Sequence, residues 1–177
     1  DIGAVWHEGL LILPPFLDQI TPRSHARTTM PRQAETKTLP YSAQQMFDLV
    51  ADVARYPEFL PWTAAARIRS VREIEGGQEM LADLVISFKV FRERFGSKVT
   101  LLGADMRILT EYIDGPFKHL KSVWAFKDLP EGGCEVAFEV DFEFKNAILA
   151  GIIGLVFNEA MGRVVRAFET RAHALYG

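Results

Sequence analysis

Alternating apolar and polar residues predict that most of the chain after residue 32 is built from β-strands. The clearest case is 134–144, where the apolar residues share one face: Cys134, Val136, Phe138, Val140, Phe142 and Phe144. The positions between them are mainly acidic, so this strand should have one face in the core and one in water. Similar patterns between turn residues predict further strands at 33–39, 66–74, 79–90, 91–102, 106–113 and 118–129.

Two segments have helical spacing instead. Ser42 is a good N-cap and Gln45 follows three residues later, which predicts a capping box at the start of a first helix. The second helix, 147–175, places Phe157, Met161, Val164 and Phe168 on one side. Its first half is apolar all round, which indicates cover on more than one side, or contact with a membrane or a partner.

This order of elements predicts an α+β fold in one domain, 30–177. A meander of antiparallel strands twists and curls, and the last helix is the only element long enough to cover one of its faces. The result is a curved antiparallel sheet wrapped around a long C-terminal helix. A curved sheet and a straight helix cannot pack tightly along their whole length, so we expect an apolar cavity between them.

The segment YPEFLPW, 56–62, lies between the first helix and the next strand. Its two prolines exclude a regular α-helix or a central strand. Its aromatic content points to one of two roles: a lid over the cavity or an ordinary packed corner between helix and sheet.

Charge and composition narrow the function classes. The net charge is −3, so no global basic field favours nucleic acid, and we expect no DNA partner. The single cysteine, Cys134, excludes an intramolecular disulfide and is expected to be a small core residue. The longest apolar run, 147–157, is shorter than the ~20 residues of a membrane-spanning helix.

Catalytic and metal-binding patterns are sparse. No pair of the four histidines has metal-ligand spacing, and His119 and His173 are expected on the surface. The carboxylates of 134–144, and Asp83 and Lys89, fall on polar strand faces. Arginine clusters such as Arg163, Arg166 and Arg171 are interleaved with acids, which favours a mixed solvated surface and leaves a local patch for RNA or anionic lipid open. We therefore expect no enzymatic activity, no catalytic cofactor and no metal.

Residues 1–29 differ from the rest of the chain. They contain LLILPPFL and a polar stretch without apolar periodicity, and Asp1 and Glu8 precede the apolar part where a secretory signal would carry basic residues. An upstream translation artefact, a targeting remnant and a genuine arm all remain open. We expect this N-terminal extension to lie outside the fold.

Five blocks of the sequence together resemble the START-like family that includes mitochondrial coenzyme Q-binding proteins and the bacterial ribosome-association toxin RatA. They are LPYSAQQMFDLVADVARYPEFLPW, ADLVISFKVFRERFGSKVTL, YIDGPFKHLKSVWAF, CEVAFEVDFEFKNAIL and LVFNEAMGRVVRAFETRA, and the resemblance spans 31–177. It implies the helix-grip fold, in which a seven-stranded sheet holds the C-terminal helix. That is the architecture that the pattern of elements predicts.

The resemblance implies two functions and does not separate them. One is non-enzymatic binding of ubiquinone or a similar polyprenyl lipid in support of respiration, by a cytoplasmic protein in peripheral contact with the inner face of a bacterial respiratory membrane. The other is binding of a ribosomal subunit, with inhibition of translation initiation. A cyclase- or hydrolase-like enzyme is the weakest alternative, because inward positions carry no convergent His, Asp or Cys.

The aromatic residues favour the lipid, because a Phe- and Trp-rich lining on a curved sheet suits a flat or long apolar ligand. We expect the ligand to contact Val50, Tyr56, Phe59, Leu60, Trp62, Ile86, Phe88, Phe95, Trp124, Phe138, Phe157 and Met161.

Overall fold

The structure is a computed structural model that describes residues 32–177, so the expectation for 1–29 lies outside the described residues. Seven strands form one antiparallel sheet in the order β1-β7-β6-β5-β4-β3-β2, with a helix after β1 and a long helix at the end. This confirms the predicted helix-grip fold. The bounds are β1 Arg32–Leu39, α1 Ala43–Ala51, a 3₁₀ helix Val53–Glu58, β2 Thr63–Ile74, β3 Gly77–Phe88, β4 Phe91–Leu102, β5 Arg107–Asp114, β6 Phe117–Asp128, β7 Cys134–Phe144 and α2 Ala147–Tyr176.

The predicted capping box starts α1. The backbone N–H of Gln45 donates to Ser42 Oγ at 3.1 Å, and the backbone N–H of Ser42 donates to Gln45 Oε1 at 2.9 Å. The helix ends at Ala51, and the chain continues as a 3₁₀ helix that contains Pro57. The whole of 56–62 therefore lies outside α-helix and strand, as its prolines require.

The turn between β3 and β4 differs from the prediction. The alternation predicts strands at 79–90 and 91–102 with no residue between them and places Val90 on the apolar face of the first strand. That assignment is wrong, because β3 ends at Phe88 and Val90 lies in a two-residue turn with 89% of its surface exposed. Lys89 has φ +53, in the left-handed region that two-residue hairpin turns require.

The long helix α2 begins at Asn146, whose Oδ1 accepts the backbone N–H groups of Ile148 and Leu149. Its C-terminal half is anchored in the main core through Phe168 and Ala172. Its N-terminal half packs against a second, smaller hydrophobic cluster that contains Phe117 and Phe142. By length and composition alone, the helix is apolar enough to span a membrane. Few residues of its most apolar stretch are buried against the rest of the protein.

The convex face of the sheet carries a cluster of four charged residues on four neighbouring strands. Arg94 Nη1 lies 2.6 Å from Asp83 Oδ1, and its Nη2 lies 3.0 Å from Asp114 Oδ2. Arg69 donates to Asp83 from Nε at 2.8 Å. The mixed charged surface predicted for these arginines is present, but the side chain of Asp83 is only 13% exposed because the two guanidinium groups cover it.

Candidate functional site

An apolar cavity of about 340 Å³ lies between the concave face of the sheet and α2. The sheet forms its floor, α2 one wall, and the segment that follows α1 another wall. The volume is at the lower end of the ~300–1,000 Å³ typical of small-molecule sites. The expected gap between a curved sheet and a straight helix is therefore present.

Most of the side chains that we assigned to a ligand do line this cavity. They come from every part of the fold: α1 and the segment after it, strands β3, β4, β6 and β7, and α2. The cavity-lining members of the predicted set are Val50, Tyr56, Leu60, Trp62, Ile86, Phe95, Trp124, Phe138, Phe157 and Met161.

Two members of the predicted set do not line the cavity. The ring of Phe59 turns to the outside of the segment, where it packs edge-on against Tyr56 and Phe168 at 5.9 and 5.3 Å. Phe88 lies at the end of β3 and packs against Trp62 at 5.5 Å. The alternation of the strand gave Phe88 the correct face, but the strand runs past the end of the cavity.

Four residues, Tyr56, Leu60, Pro61 and Trp62, form the part of the cavity wall that we call the lid. The phenol of Tyr56 donates to the carbonyl of Val50 at 2.5 Å, and burial raises its pKa well above the usual value. This bond ties the lid to α1.

At the other end of the lid, the backbone of Trp62 is strained. Its φ is +61, a region that bulky residues rarely adopt and that costs about 1 kcal/mol or more. The strain is held by the hydrogen bond from Ser87 N to Trp62 O at 2.8 Å and by the contact with Phe88. The sheet therefore fixes the indole against the cavity.

A small number of hydroxyl groups interrupt the apolar wall: Thr63, Ser97, Thr110 and Ser122. Thr110 on β5 and Ser122 on β6 are directly paired across the two strands. Sequence reasoning left these hydroxyls out of the site, although Ser122 sits at an inward position between Leu120 and Trp124. A polar residue at an inward position of an apolar strand face is the signal that could have found it.

The lining of the cavity is almost entirely apolar. Among the described residues that form it, Tyr56 is the only titratable group, and its hydroxyl is engaged by the main chain. Cys134 is fully buried elsewhere in the core, where desolvation raises its thiol pKa to about 11. Residues 32–177 contain no cluster of three or more metal-ligating side chains.

A second feature lies outside the lid. An open groove of about 530 Å³ runs between Phe59 and α2, and it contains all three arginines of the predicted helix cluster, Arg163, Arg166 and Arg171. Arg171 donates to Glu58 at 2.7 Å and lies 5.3 Å from the centre of the Phe59 ring. Arg163 donates to Glu159 at 2.6 Å.

Curated relatives carry two kinds of name. A 141-residue match, 43% identical, joins 77% of this chain to 92% of the "Ribosome association toxin RatA" of Rickettsia prowazekii. The "Coenzyme Q-binding protein COQ10 homolog B, mitochondrial" of Xenopus laevis is 32% identical over 81% of this chain and 59% of that protein.

Solved structures agree with the fold. The 18 kDa protein CC1736 from Caulobacter crescentus superimposes with a TM-score of 0.70 and 33% identity, over 84% of this chain and 99% of that one. The model of the family described as polyketide cyclase / dehydrase and lipid transport matches residues 39–169. The chain belongs to this family, described as polyketide cyclase / dehydrase and lipid transport, and its relatives include proteins named RatA and a coenzyme Q-binding protein.

Proposed function

We propose that the protein binds ubiquinone or a similar polyprenyl lipid in the cavity and carries it without chemical change. The observation that carries the proposal is the cavity itself: an apolar, aromatic-rich space with one paired set of hydroxyls on its floor. A quinone ring can stack against aromatic faces, its carbonyl oxygens accept hydrogen bonds from hydroxyls, and its isoprenoid tail is stabilised by apolar walls. The coenzyme Q-binding relative supports this choice of ligand.

The cavity is large enough to hold only part of a polyprenyl quinone. A space of about 340 Å³ suits a head group and the first part of a tail. A smaller pocket of about 70 Å³ shares Ile86, Phe95, Phe117, Phe144 and Ile153 with the cavity and continues it towards the β3–β4 turn. A long tail would follow this pocket and leave the protein there.

The proposal implies a carrier at the place where polyprenyl quinones reside, in the cytoplasm at the inner face of the respiratory membrane. It is tested by gentle purification from a respiring host, followed by organic extraction and by ultraviolet and mass spectrometry of the extract. We expect an unmodified quinone close to one per chain. An empty extract, together with no quenching of tryptophan fluorescence by added short-tailed ubiquinone, would contradict the proposal.

The arginine groove favours a second candidate function, association with a ribosomal subunit, as the names of the RatA relatives state for those proteins. Guanidinium groups in an open groove can contact RNA phosphates, and such binding weakens steeply with salt. The test is co-sedimentation with separated subunits at low and high salt. Arg163→Glu with Arg166→Glu should abolish binding, whereas Arg72→Glu on β2 should not; equal binding by all three proteins excludes the groove.

A further inference from the structure

The large apolar side chains that are most exposed in the described part of the chain are gathered at one end. Val90 is 89% exposed, Leu155 88% and Ile148 72%. Val90 forms the tip of the β3–β4 hairpin, Ile148 lies in the first turn of α2, and Leu155 lies in its third turn. We call these three residues the apolar end.

The hairpin and the helix are neighbours at this end. Phe88 and Phe91, which flank the turn, line the small pocket together with Leu149 and Ile153 of α2. At 3.6 residues per turn, Ile148 and Leu155 lie on the side of the helix opposite Ile153, so they point away from the sheet. The apolar character of α2, which packing against the sheet does not explain, is concentrated on this outer side.

Three exposed basic residues adjoin the apolar end in the sequence, although the chain as a whole is acidic. Lys89 and Arg92 are exposed beside Val90, and Lys145 is exposed just before α2. The exposed acidic residues near the apolar end are Glu93 on the hairpin and Glu159, which follows Leu155 by one helical turn and pairs with Arg163. Apolar tips inside a basic rim match the layering of an anionic bilayer, where phosphate groups lie above acyl chains.

We propose that the apolar end docks the protein on the surface of an anionic phospholipid bilayer. The inference rests on the proposed function in one respect, since a carried lipid must enter from a membrane. The small pocket supplies the route in this proposal, because it shares five lining residues with the main cavity and is also lined by Phe88 and Phe91 beside the β3–β4 turn. The lid does not supply this docking surface, because Tyr56, Leu60 and Trp62 line the cavity.

The test is sedimentation of the full chain with phosphatidylcholine vesicles, with and without phosphatidylglycerol. We expect binding to the anionic vesicles only. Val90→Asp with Leu155→Asp should lower the vesicle affinity by about tenfold or more, because each lost side chain forfeits its transfer into the apolar layer. Val71→Asp with Ile113→Asp adds the same two charges at half-exposed positions on β2 and β5 and should leave binding unchanged.

The basic rim has its own variant pair. Arg92→Gln with Lys145→Gln should weaken binding to anionic vesicles by about fivefold per charge, whereas Arg67→Gln with Arg72→Gln should not. Circular dichroism and binding of short-tailed ubiquinone in solution establish that each variant is folded. Quinone binding without vesicle binding would overturn the docking proposal and leave the proposed function standing; vesicle binding without quinone binding would do the reverse.

The Val90→Asp with Leu155→Asp variant also tests whether the apolar end binds something other than a membrane. If the wild-type chain is a dimer in solution and Val90→Asp with Leu155→Asp makes it monomeric, the apolar end is an interface between two copies and the docking proposal is wrong. If these variants lose a ribosomal subunit and keep the vesicles, it is equally wrong.

Discussion

Thr110 of β5 lies directly opposite Ser122 of β6, and both side chains line the apolar cavity. Adjacent hydroxyls on a largely apolar floor give a polar ligand group one place to be satisfied. Under the proposed function, a head group with acceptor oxygens would lie over this pair, and its tail would extend towards the β3–β4 turn.

Replacing the pair, Thr110→Val with Ser122→Ala, should lower the affinity for ubiquinone by about tenfold, the cost of one or two hydrogen bonds to the ligand. The stability of the free protein should change little or rise, because apolar groups replace polar ones in an apolar wall. Quenching of tryptophan fluorescence by short-tailed ubiquinone measures the affinity. Ser70→Ala, at an exposed serine of β2, is the control. Equal quinone affinity in the double variant and the control would remove the hydroxyl pair from the site.

The different directions of Trp62 and Phe59 separate ligand binding from stability. Trp62→Gly removes a cavity wall and also relieves the strain of a positive φ, so affinity should fall severalfold or more with a small change in stability. Phe59→Ala removes a ring packed on Phe168 outside the cavity and should cost about 2 kcal/mol of stability, below the range for fully buried phenylalanines.

Urea unfolding and quinone titration of both variants check this pair. The expected pattern is a crossed one, with Trp62→Gly weak in binding and Phe59→Ala weak in stability. If Phe59→Ala loses ligand at full stability, the lid extends outward to Phe59, and the assignment of this ring to the outer face is wrong.

Sequence patterning predicted the sheet well because the central strands have one face turned towards the core or the cavity. In β7 the period of two runs without interruption from Cys134 to Phe144, and Phe138, the one ligand residue predicted on that strand, lines the cavity as its alternation requires. Phe88 and Val90 mark the limit of this reasoning. Alternation predicts which face a residue lies on, but not the point at which the strand passes the end of the cavity. It also does not predict the positive φ of Lys89, because the apolar residues on both sides continue the strand pattern.

The lid was harder to predict for a different reason. Prolines at 57 and 61 exclude regular structure without specifying an alternative, so the directions of Phe59 and Trp62 depend on contacts with distant residues, Phe168 and Ser87. The cluster on the convex face has the same character. Gly96 permits it, because a Cβ there would collide with the Asp114 carboxylate and lie 2.9 Å from Arg69 Nη2. The local sequence pattern does not show that a glycine is needed to make room for charged side chains from neighbouring strands.

The charge cluster predicts how stability depends on pH. Hydrogen bonds from Arg69 hold the pKa of Asp83 below its usual value, and Arg94 does the same for Asp114. A carboxylate whose pKa is lowered by folding stabilises the protein above its unfolded pKa of about 3.9, and this contribution is lost as the pH falls through the folded-state pKa. Asp83→Asn should therefore be less stable than the wild type at neutral pH, with the difference shrinking at acid pH.

Urea unfolding at neutral pH and at about pH 3 measures the contribution of Asp83. Asp105→Asn, at an exposed position in the β4–β5 turn, is the matched control and should show no such convergence. A stability difference for Asp83→Asn that is the same at both pH values would mean that packing, and not charge, is what Asp83 contributes.

Cys134 offers a direct measure of whether the cavity is occupied. It is the single cysteine of the chain, it is fully buried, and burial raises its thiol pKa to about 11, so the folded protein should react with iodoacetamide only through unfolding. A ligand that binds only the folded state lowers the unfolded fraction, and at a concentration of about 100 Kd it should slow labelling about a hundredfold. Mass spectrometry of the alkylated chain with and without short-tailed ubiquinone gives the rate. Labelling that is fast without denaturant would mean that Cys134 is reached by local opening, and slow labelling that quinone leaves unchanged would mean that quinone does not bind the native fold.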